Sequence, residues 1–519
     1  MSLPSIKSRS GGRTARKALR ASKSAMQDRP ARPGVPGGQY RPLSDRDVVK
    51  IHEAALEILE TVGMGNPPPP LIQAANSSGL IISNDGRIRY PRSLVEDVID
   101  GACRNFTLYG RTPEQDIYVT EKNVHYGNGG AAVQTLDIDT GVYRKSTLKD
   151  VYDFSRLADC LDYISWHSRN VVATDMPDNL LLDINTLYAL LAGTSKNVAT
   201  SITLADHVAP MLDILHDVAG GEDAFNARPF LQAHISPVVS PLRYGEDAVS
   251  VAAEIVKTNI PIHSVSAPQS GATSPAPLAG SLAQLHAEAL GALVMFNLLS
   301  PGHPVIFSVW PLVIDLRTGA FAGGSGEGII MGAAATQIAQ HCNLMVGVPA
   351  CMTDSKIPDA QAGYEKGMAA LAMGLAGANL VYEASSMFGS LMGASFEGMV
   401  IDNELVGQAL RCVRGIEVND NTLSLDVIKS VVSGANHFLG EEQTLQSMER
   451  DYHYPRLADR ETIESWQSAG GKDLRERAHE HARLLLSENF PKLIPDDVDQ
   501  RIRAKYDIRL SPAAMRAKQ

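Results

Sequence analysis

The chain has 519 residues, 44% hydrophobic and 20% charged, with 47 Lys+Arg against 58 Asp+Glu for a net charge of −11. This length suits about three domains or one large barrel with additions, and the acidic balance argues against a generally basic nucleic-acid binder. Five scattered cysteines (Cys103, Cys160, Cys342, Cys351, Cys412) make no disulfide framework and suit a reducing compartment, and the most apolar stretch, 278–299, is broken by Gln284, His286 and Glu288 before reaching the ~18 residues of a membrane span. The expectation is a cytoplasmic protein with neither a membrane nor a nucleic-acid partner.

Residues 1–38 carry nine Lys/Arg against one acid, Asp28, and lack the apolar core of a secretory signal. They read as a disordered basic tail, with a transit peptide or a dock for an acidic partner as the other readings. Ser44 can cap a helix over 45–61, where Val48, Ile51, Ala55, Ile58 and Leu59 recur at helical spacing. Pro67–Pro70 start a short helix, 81–88 reads as a hairpin around Asp85-Gly86, and Pro91-Arg92-Ser93 opens another helix. Residues 39–122 therefore form a small N-terminal α+β cap. Beyond 415 the chain is polar and helical, clearest over 472–488, which predicts a C-terminal helical arm over 416–519.

Between them one pattern recurs: a short apolar run, a polar loop, an amphipathic helix. The expected strands are 124–136, 163–173, 197–203, 229–239, 261–267, 304–313, 344–353 and 379–387. The helices are 147–159, 178–192, 207–219, 245–258, 278–299, 327–342, 359–376 and 396–414. Parallel strands need crossovers, usually helices, so the alternation predicts an α/β fold with a parallel sheet. Eight units over 123–415 match a (β/α)8 TIM barrel, typically ~250 residues. An open doubly wound sheet remains the alternative.

A barrel would place the chemistry at the C-terminal ends of its strands. Trp166, Trp310 and Tyr382 there suggest an aromatic box for an ammonium group, worth ~2 kcal/mol when desolvated, with Glu383 as counter-charge. Each aromatic could equally pack between strands and helices. Asp359 can cap the seventh helix, whose first turn then carries Gln361 and Tyr364 on one face, toward the mouth. Lys356 could form a Schiff base if desolvated, though an exposed loop lysine is the simpler reading. Gly323–Gly328 could cradle phosphate but lacks the G-x-G-x-x-G order. No metal site is expected: Cys342 and Cys351 lack a companion at ligand spacing, the fourteen histidines are dispersed, and His286 reads as structural.

The runs 300–320 (SPGHPVIFSVWPLVIDLRTGA), 353–384 (TDSKIPDAQAGYEKGMAALAMGLAGANLVYEA), 395–418 and 434–445, with HYGNGGAAVQTLD at 125–137, resemble the trimethylamine methyltransferase family, over about 40 to 490. The resemblance implies a (β/α)8 barrel that moves a methyl group from a methylated amine to the Co(I) of a separate corrinoid protein. Archaeal members carry pyrrolysine near the stretch that here reads Thr353-Asp354-Ser355-Lys356. Members without it include enzymes that demethylate quaternary amines such as glycine betaine. The expected partners are thus a corrinoid protein, which supplies the cobalamin, and a small methylated amine. This chain has no D-x-H-x-x-G string of its own to hold a corrinoid. If the substrate carries a carboxylate, a cation or His167 or His234 would hold it. Rival readings are a Schiff-base lyase using Lys356 and a non-catalytic binder of methylated amines. A homo-oligomer is compatible with the sequence.

Overall fold

The computed structural model describes residues 29–434 and 436–517. Its centre is a curled nine-stranded sheet. One short strand, β1 (Val35–Pro36), runs antiparallel along its edge. A hairpin, β2 (Phe106–Leu108) and β3 (Ile117–Val119), stands apart from the sheet. The remaining eight sheet strands are β4 (Asn123–Tyr126), β5 (Trp166–Ser168), β6 (Asn197–Thr200), β7 (Leu231–Ile235), β8 (Ile262–Ser266), β9 (Val305–Val309), β10 (Val346–Pro349) and β11 (Leu380–Tyr382). The sheet order is β1-β4-β11-β10-β9-β8-β7-β6-β5.

Every pairing among β4–β11 is parallel. β4 and β5, the two ends of this run, approach each other. Ser165 N donates to Tyr126 O at 2.6 Å, and further along Ala132 N donates to Asn170 O at 3.0 Å.

The crossovers are helices, as the spacing predicts. An outer helix, α1 (Asp45–Glu57), precedes the repeat. Then come α2 (Leu148–Asp159), α3 (Asn179–Gly193), α4 (Val208–Ala219), α5 (Glu246–Ile255), α6 (Leu278–Leu299), α7 (Gly326–His341), α8 (Ala360–Ala376) and α9 (Phe396–Arg414). Caps delimit them: Ser44 accepts from Asp47 N, Asp178 from Leu181 N and Asp359 from Ala362 N. The 22-residue α6 is long and apolar enough to span a membrane, but it is buried in the fold. Its polar positions are used internally: Glu288 accepts from Ser240 Oγ (2.6 Å), Leu242 N (2.9 Å) and Gln284 Nε2 (2.9 Å).

Three expectations shift. Residues 29–38, assigned to the tail, pack on the fold: Arg29 pairs with Asp162 at 2.8 Å and Gly34 N donates to Val124 O. Residues 1–28 lie outside the described residues. The apolar run 124–136 is not one strand. It leaves the central sheet after Tyr126 and rejoins regular structure at Gln134–Leu136, in a second sheet with Tyr143–Lys145 and Gly393–Ser395. The Gly127–Gly130 stretch causes the break. A Cβ on Gly127 would lie 2.0 Å from the Trp166 ring, so the backbone there runs directly against the indole. Finally, the regular strand within the 163–173 run is Trp166–Ser168, with a separate parallel bridge between Val171 and Ala132, so Trp166 begins its strand rather than ending it.

C-terminal helices pack around the outside. The clearest is α10 (Leu474–Glu488), whose Asp473 forms a capping box with Glu476. Arg156 of α2 donates to Asn489 O beyond its end, at 2.9 Å. The hairpin β2–β3 closes the other end of the curl: Leu108, Ile117 and Val119 share a buried cluster with Trp166, Ile306, Leu380 and Tyr382.

Gly127→Ala should destabilise the protein by about 2–3 kcal/mol, the cost of overpacking, in denaturant unfolding. Gly363→Ala, in α8 with open space at its Cβ, should be neutral or slightly stabilising.

Candidate active site

At the C-terminal ends of the strands lies a cavity of about 510 Å³. Its wall includes Trp310 just after β9, Glu383 just after β11, His234 on β7, and Ser168 and Arg169 at the end of β5, with Ser201 after β6. Each comes from a strand end or the following turn, so their spacing is set by the sheet rather than by loops.

Glu383 is the cavity's most constrained residue. It is 1% exposed, sits at φ 60°, and its Oε2 has no hydrogen-bond partner among the described residues. The glycines of the HYGNGG stretch make room for it: a Cβ on Gly129 would lie 2.8 Å from Glu383 Oε1, and one on Gly130 3.1 Å from Oε2. Burial pushes its carboxyl up to about 8, against a smaller opposing pull from Lys366. Lys366 is itself buried and bound to Asp402 at 2.7 Å, with its ammonium 4.2 Å from the Phe388 ring centroid. Asp402 also accepts from Ser386 N at 2.8 Å, which fixes the turn after Glu383. Removing one member of such a pair would leave a buried charge uncompensated.

Arg169 lies on the same cavity and forms no ion pair with Glu383. Its guanidinium donates to Ser201 Oγ at 3.1 Å, and no carboxylate among the described residues pairs with it. Burial lowers its proton affinity and Asp183 opposes this, but a guanidinium stays charged at neutral pH. The histidines here are different. Burial holds His234 down to about 4, with Arg169 adding to the shift, and His167 down to about 3; His263 is held well below its ordinary range. At pH 7 all three are neutral. The positive charge in the wall is therefore Arg169, and neither His167 nor His234 can hold an anion by charge.

The predicted aromatic box is only partly assembled. Trp310, 7% exposed, lines the cavity and its Nε1 has no partner among the described residues. Tyr382 packs beneath it, ring centroids 6.4 Å apart, stacked on His263 at 3.6 Å and 7°. Tyr382 Oη donates to Gln232 Oε1 at 2.8 Å, and Gln232 Nε2 donates to Asn197 Oδ1 at 2.6 Å. This chain crosses the interior and satisfies its members. Trp166 lies deeper, edge-on to Tyr382 at 4.8 Å and against the hairpin plug. Because Trp166 starts its strand, the mouth position falls to Ser168 and Arg169 instead.

Gln361 and Tyr364 are not in the cavity wall. Gln361 Nε2 donates to Glu365 Oε1, one turn on, at 2.9 Å, and Tyr364 is 56% exposed. Lys356 is exposed and its Nζ donates to Asp354 O at 2.6 Å, so the desolvation a Schiff-base lysine needs is missing. The Gly323–Gly328 loop already holds an anion: Gly323 N and Gly324 N donate to the Asp354 carboxylate at 2.8 and 3.4 Å, where a phosphate would be repelled.

Sequence comparison places this geometry. The pattern of the trimethylamine methyltransferase family (MTTB) matches residues 9–511. Trimethylamine methyltransferase of Desulfitobacterium hafniense is 33% identical over 465 residues, 89% of this chain and 92% of that one. Glycine betaine methyltransferase of the same species is 27% identical over 467 residues, 90% and 96% of the two chains. The monomethylamine methyltransferase of Methanosarcina barkeri, a solved structure, aligns with a TM-score of 0.46 at 14% identity, over 87% of this chain and 95% of that one. The relatives define an enzyme of the methyltransferase class. The chain belongs to the trimethylamine methyltransferase family.

A cation in the cavity would meet Glu383 in competition with its proton. Binding then releases a proton, so affinity for tetramethylammonium should rise as pH is raised toward about 8 and level off above it. Titration calorimetry across this range should show that slope in the wild type and a flat, weaker profile in Glu383→Gln.

Proposed function

We propose that this chain binds a methylated ammonium compound that also carries a carboxylate, of the glycine betaine kind, and transfers one methyl to the Co(I) of a corrinoid on a separate protein. The curled sheet would serve as a (β/α)8 barrel with its chemistry at the strand C-termini. The observation that carries the reading is the pairing, in one cavity, of Trp310 and Glu383 with an Arg169 that has no carboxylate partner among the described residues, while His234 in the same wall is neutral. The first pair suits an ammonium; the last suits a carboxylate.

The residues divide the work. The Trp310 face attracts the ammonium through its quadrupole, and ionised Glu383 supplies the counter-charge. Arg169 takes the carboxylate, with the Ser201 hydroxyl beside it to donate. Holding both ends orients one N–methyl bond toward the mouth and removes the entropy of a free encounter. In the transfer the carbon–nitrogen bond breaks, its electron pair stays on nitrogen, and the methyl bonds to the acceptor. A quaternary ammonium leaves as a neutral tertiary amine, so no proton donor is needed. The corrinoid enters as a co-substrate on its carrier, and the mouth-facing position of the cavity suits an acceptor that approaches from outside.

A second reading rests on Glu383 itself. A carboxyl near 8 is largely protonated at neutral pH and could keep a tertiary amine such as trimethylamine protonated, so that dimethylamine leaves neutral.

The two separate in a substrate panel. Purified protein, a reduced corrinoid protein and trimethylamine, glycine betaine, proline betaine, carnitine or choline would be mixed while Co(I) absorbance is followed. The carboxylate-bearing amines should discharge Co(I) at least about tenfold faster than choline or trimethylamine, the worth of one charge-assisted contact. Trimethylamine as the best substrate would move the assignment to the second reading. Binding without any loss of Co(I), while the carrier accepts methyl from another enzyme, would leave a binding protein.

A further inference from the structure

Away from the mouth, three helices bring together side chains that the chain keeps far apart. His52 lies on α1, His286 in the middle of α6, and Cys342 caps the end of α7. His52 and His286 are 234 positions apart, and His286 and Cys342 are 56 apart. In the fold His52 Nδ1 is 3.0 Å from His286 Nε2, and Cys342 Sγ is 3.6 Å from the first and 3.9 Å from the second. All three ligand atoms fall within 4.8 Å of one another. None lines the mouth cavity.

The spacing is that of a coordination shell. Zinc sits about 2.0–2.1 Å from imidazole nitrogen and about 2.3 Å from thiolate, so tetrahedral ligand atoms are separated by roughly 3.3–3.6 Å. The donor set has two imidazoles and one sulfur and no carboxylate, which favours zinc over magnesium or calcium. A neutral imidazole offers a lone pair to a metal, and coordination by Cys342 would displace its thiol proton to solvent. His341, the last residue of α7, has its ring centroid 5.5 Å from that of His52 and is exposed, where it or a water can fill a fourth position.

We propose that His52, His286 and Cys342 form a structural zinc site that ties α1 to α6 and α7, with His341 or water as fourth ligand. The competing arrangement is a metal-free imidazole–imidazole hydrogen bond with the thiol alongside. The two differ in what α1 depends on. With zinc, the N-terminal helix is bound through a metal link to the helices that back the sheet; without it, packing alone holds it there.

The test uses the full chain purified from zinc-supplemented cells. Elemental analysis should find about one zinc per chain. After exchange for Co(II), the protein should show a thiolate-to-cobalt charge-transfer band in the near ultraviolet. Cys342→Ser should lose that band. His52→Gln, which changes a partly buried surface helix position, should weaken metal binding by at least about tenfold while leaving the fold intact by circular dichroism. If Cys342→Ser fails to fold, the His52→Gln measurement decides alone. A wild-type chain that binds neither zinc nor cobalt stoichiometrically, a band that persists in Cys342→Ser, or undiminished affinity in His52→Gln would overturn the site. These readouts are independent of methyl transfer, so an error in the substrate assignment would leave them unchanged.

Discussion

A carboxylate taken out of water without a partner costs several kcal/mol if it stays ionised, and proteins usually avoid the arrangement by pairing it or leaving it protonated. Glu383 is such a group, and much of the mouth follows from where it sits. Its positive φ turns the chain just after β11, so the side chain enters the cavity instead of continuing the strand. That entry is possible because Gly129 and Gly130 have no side chains to block it. The turn beyond is held by Asp402 through Ser386 N, and Asp402 is balanced by Lys366. The same Lys366 pulls on Glu383 in favour of its ionised form. A cationic ligand would complete what the buried carboxylate lacks, and this explains why an otherwise unfavourable group is retained beside Trp310.

The alternation of strands and helices was legible in the sequence because hydrophobic periodicity and helix caps are local signals. The predicted helix 278–299 matches α6, and 396–414 matches α9. Positions within strands were less legible. An eleven-residue run around Trp166 holds a three-residue strand, and nothing local says which three. The sequence pattern therefore puts Trp166 at the mouth, where the chain instead presents Ser168 and Arg169. Arg169 carries no local signal as a ligand-binding residue, because an arginine in such a run reads equally as a snorkelling surface group. Its exposure to the cavity and its lack of a carboxylate partner emerge only from the packing of β5 against β6. Gln361 failed for a related reason: an amide one turn before Glu365 is satisfied within its own helix. The meeting of His52, His286 and Cys342 is a tertiary fact that no spacing rule could show.

Family membership and geometry constrain the function at different levels. The match over residues 9–511 defines the reaction class, and the named relatives act on amines with and without a carboxylate. Arg169 and a neutral His234 line the same cavity as Glu383, and in the proposed assignment Arg169 meets the carboxylate that glycine betaine carries and trimethylamine lacks. The aromatic layer below, with Tyr382 stacked on His263 and bonded to Gln232, is buried and closed by the β2–β3 hairpin. A buried floor of this kind would strengthen the two proposed electrostatic contacts above it.

The central claim is that Arg169 reads a carboxylate on a substrate whose other end is a quaternary ammonium. Glycine betaine and choline share the trimethylammonium group and differ in carboxylate against hydroxymethyl, so calorimetric binding of both to the wild type and to Arg169→Met isolates that contact. The account predicts that the wild type favours glycine betaine by at least about tenfold and that Arg169→Met loses the preference while still binding choline as before. Equal binding of the two ligands by the wild type, or a preference that survives in Arg169→Met, would contradict it.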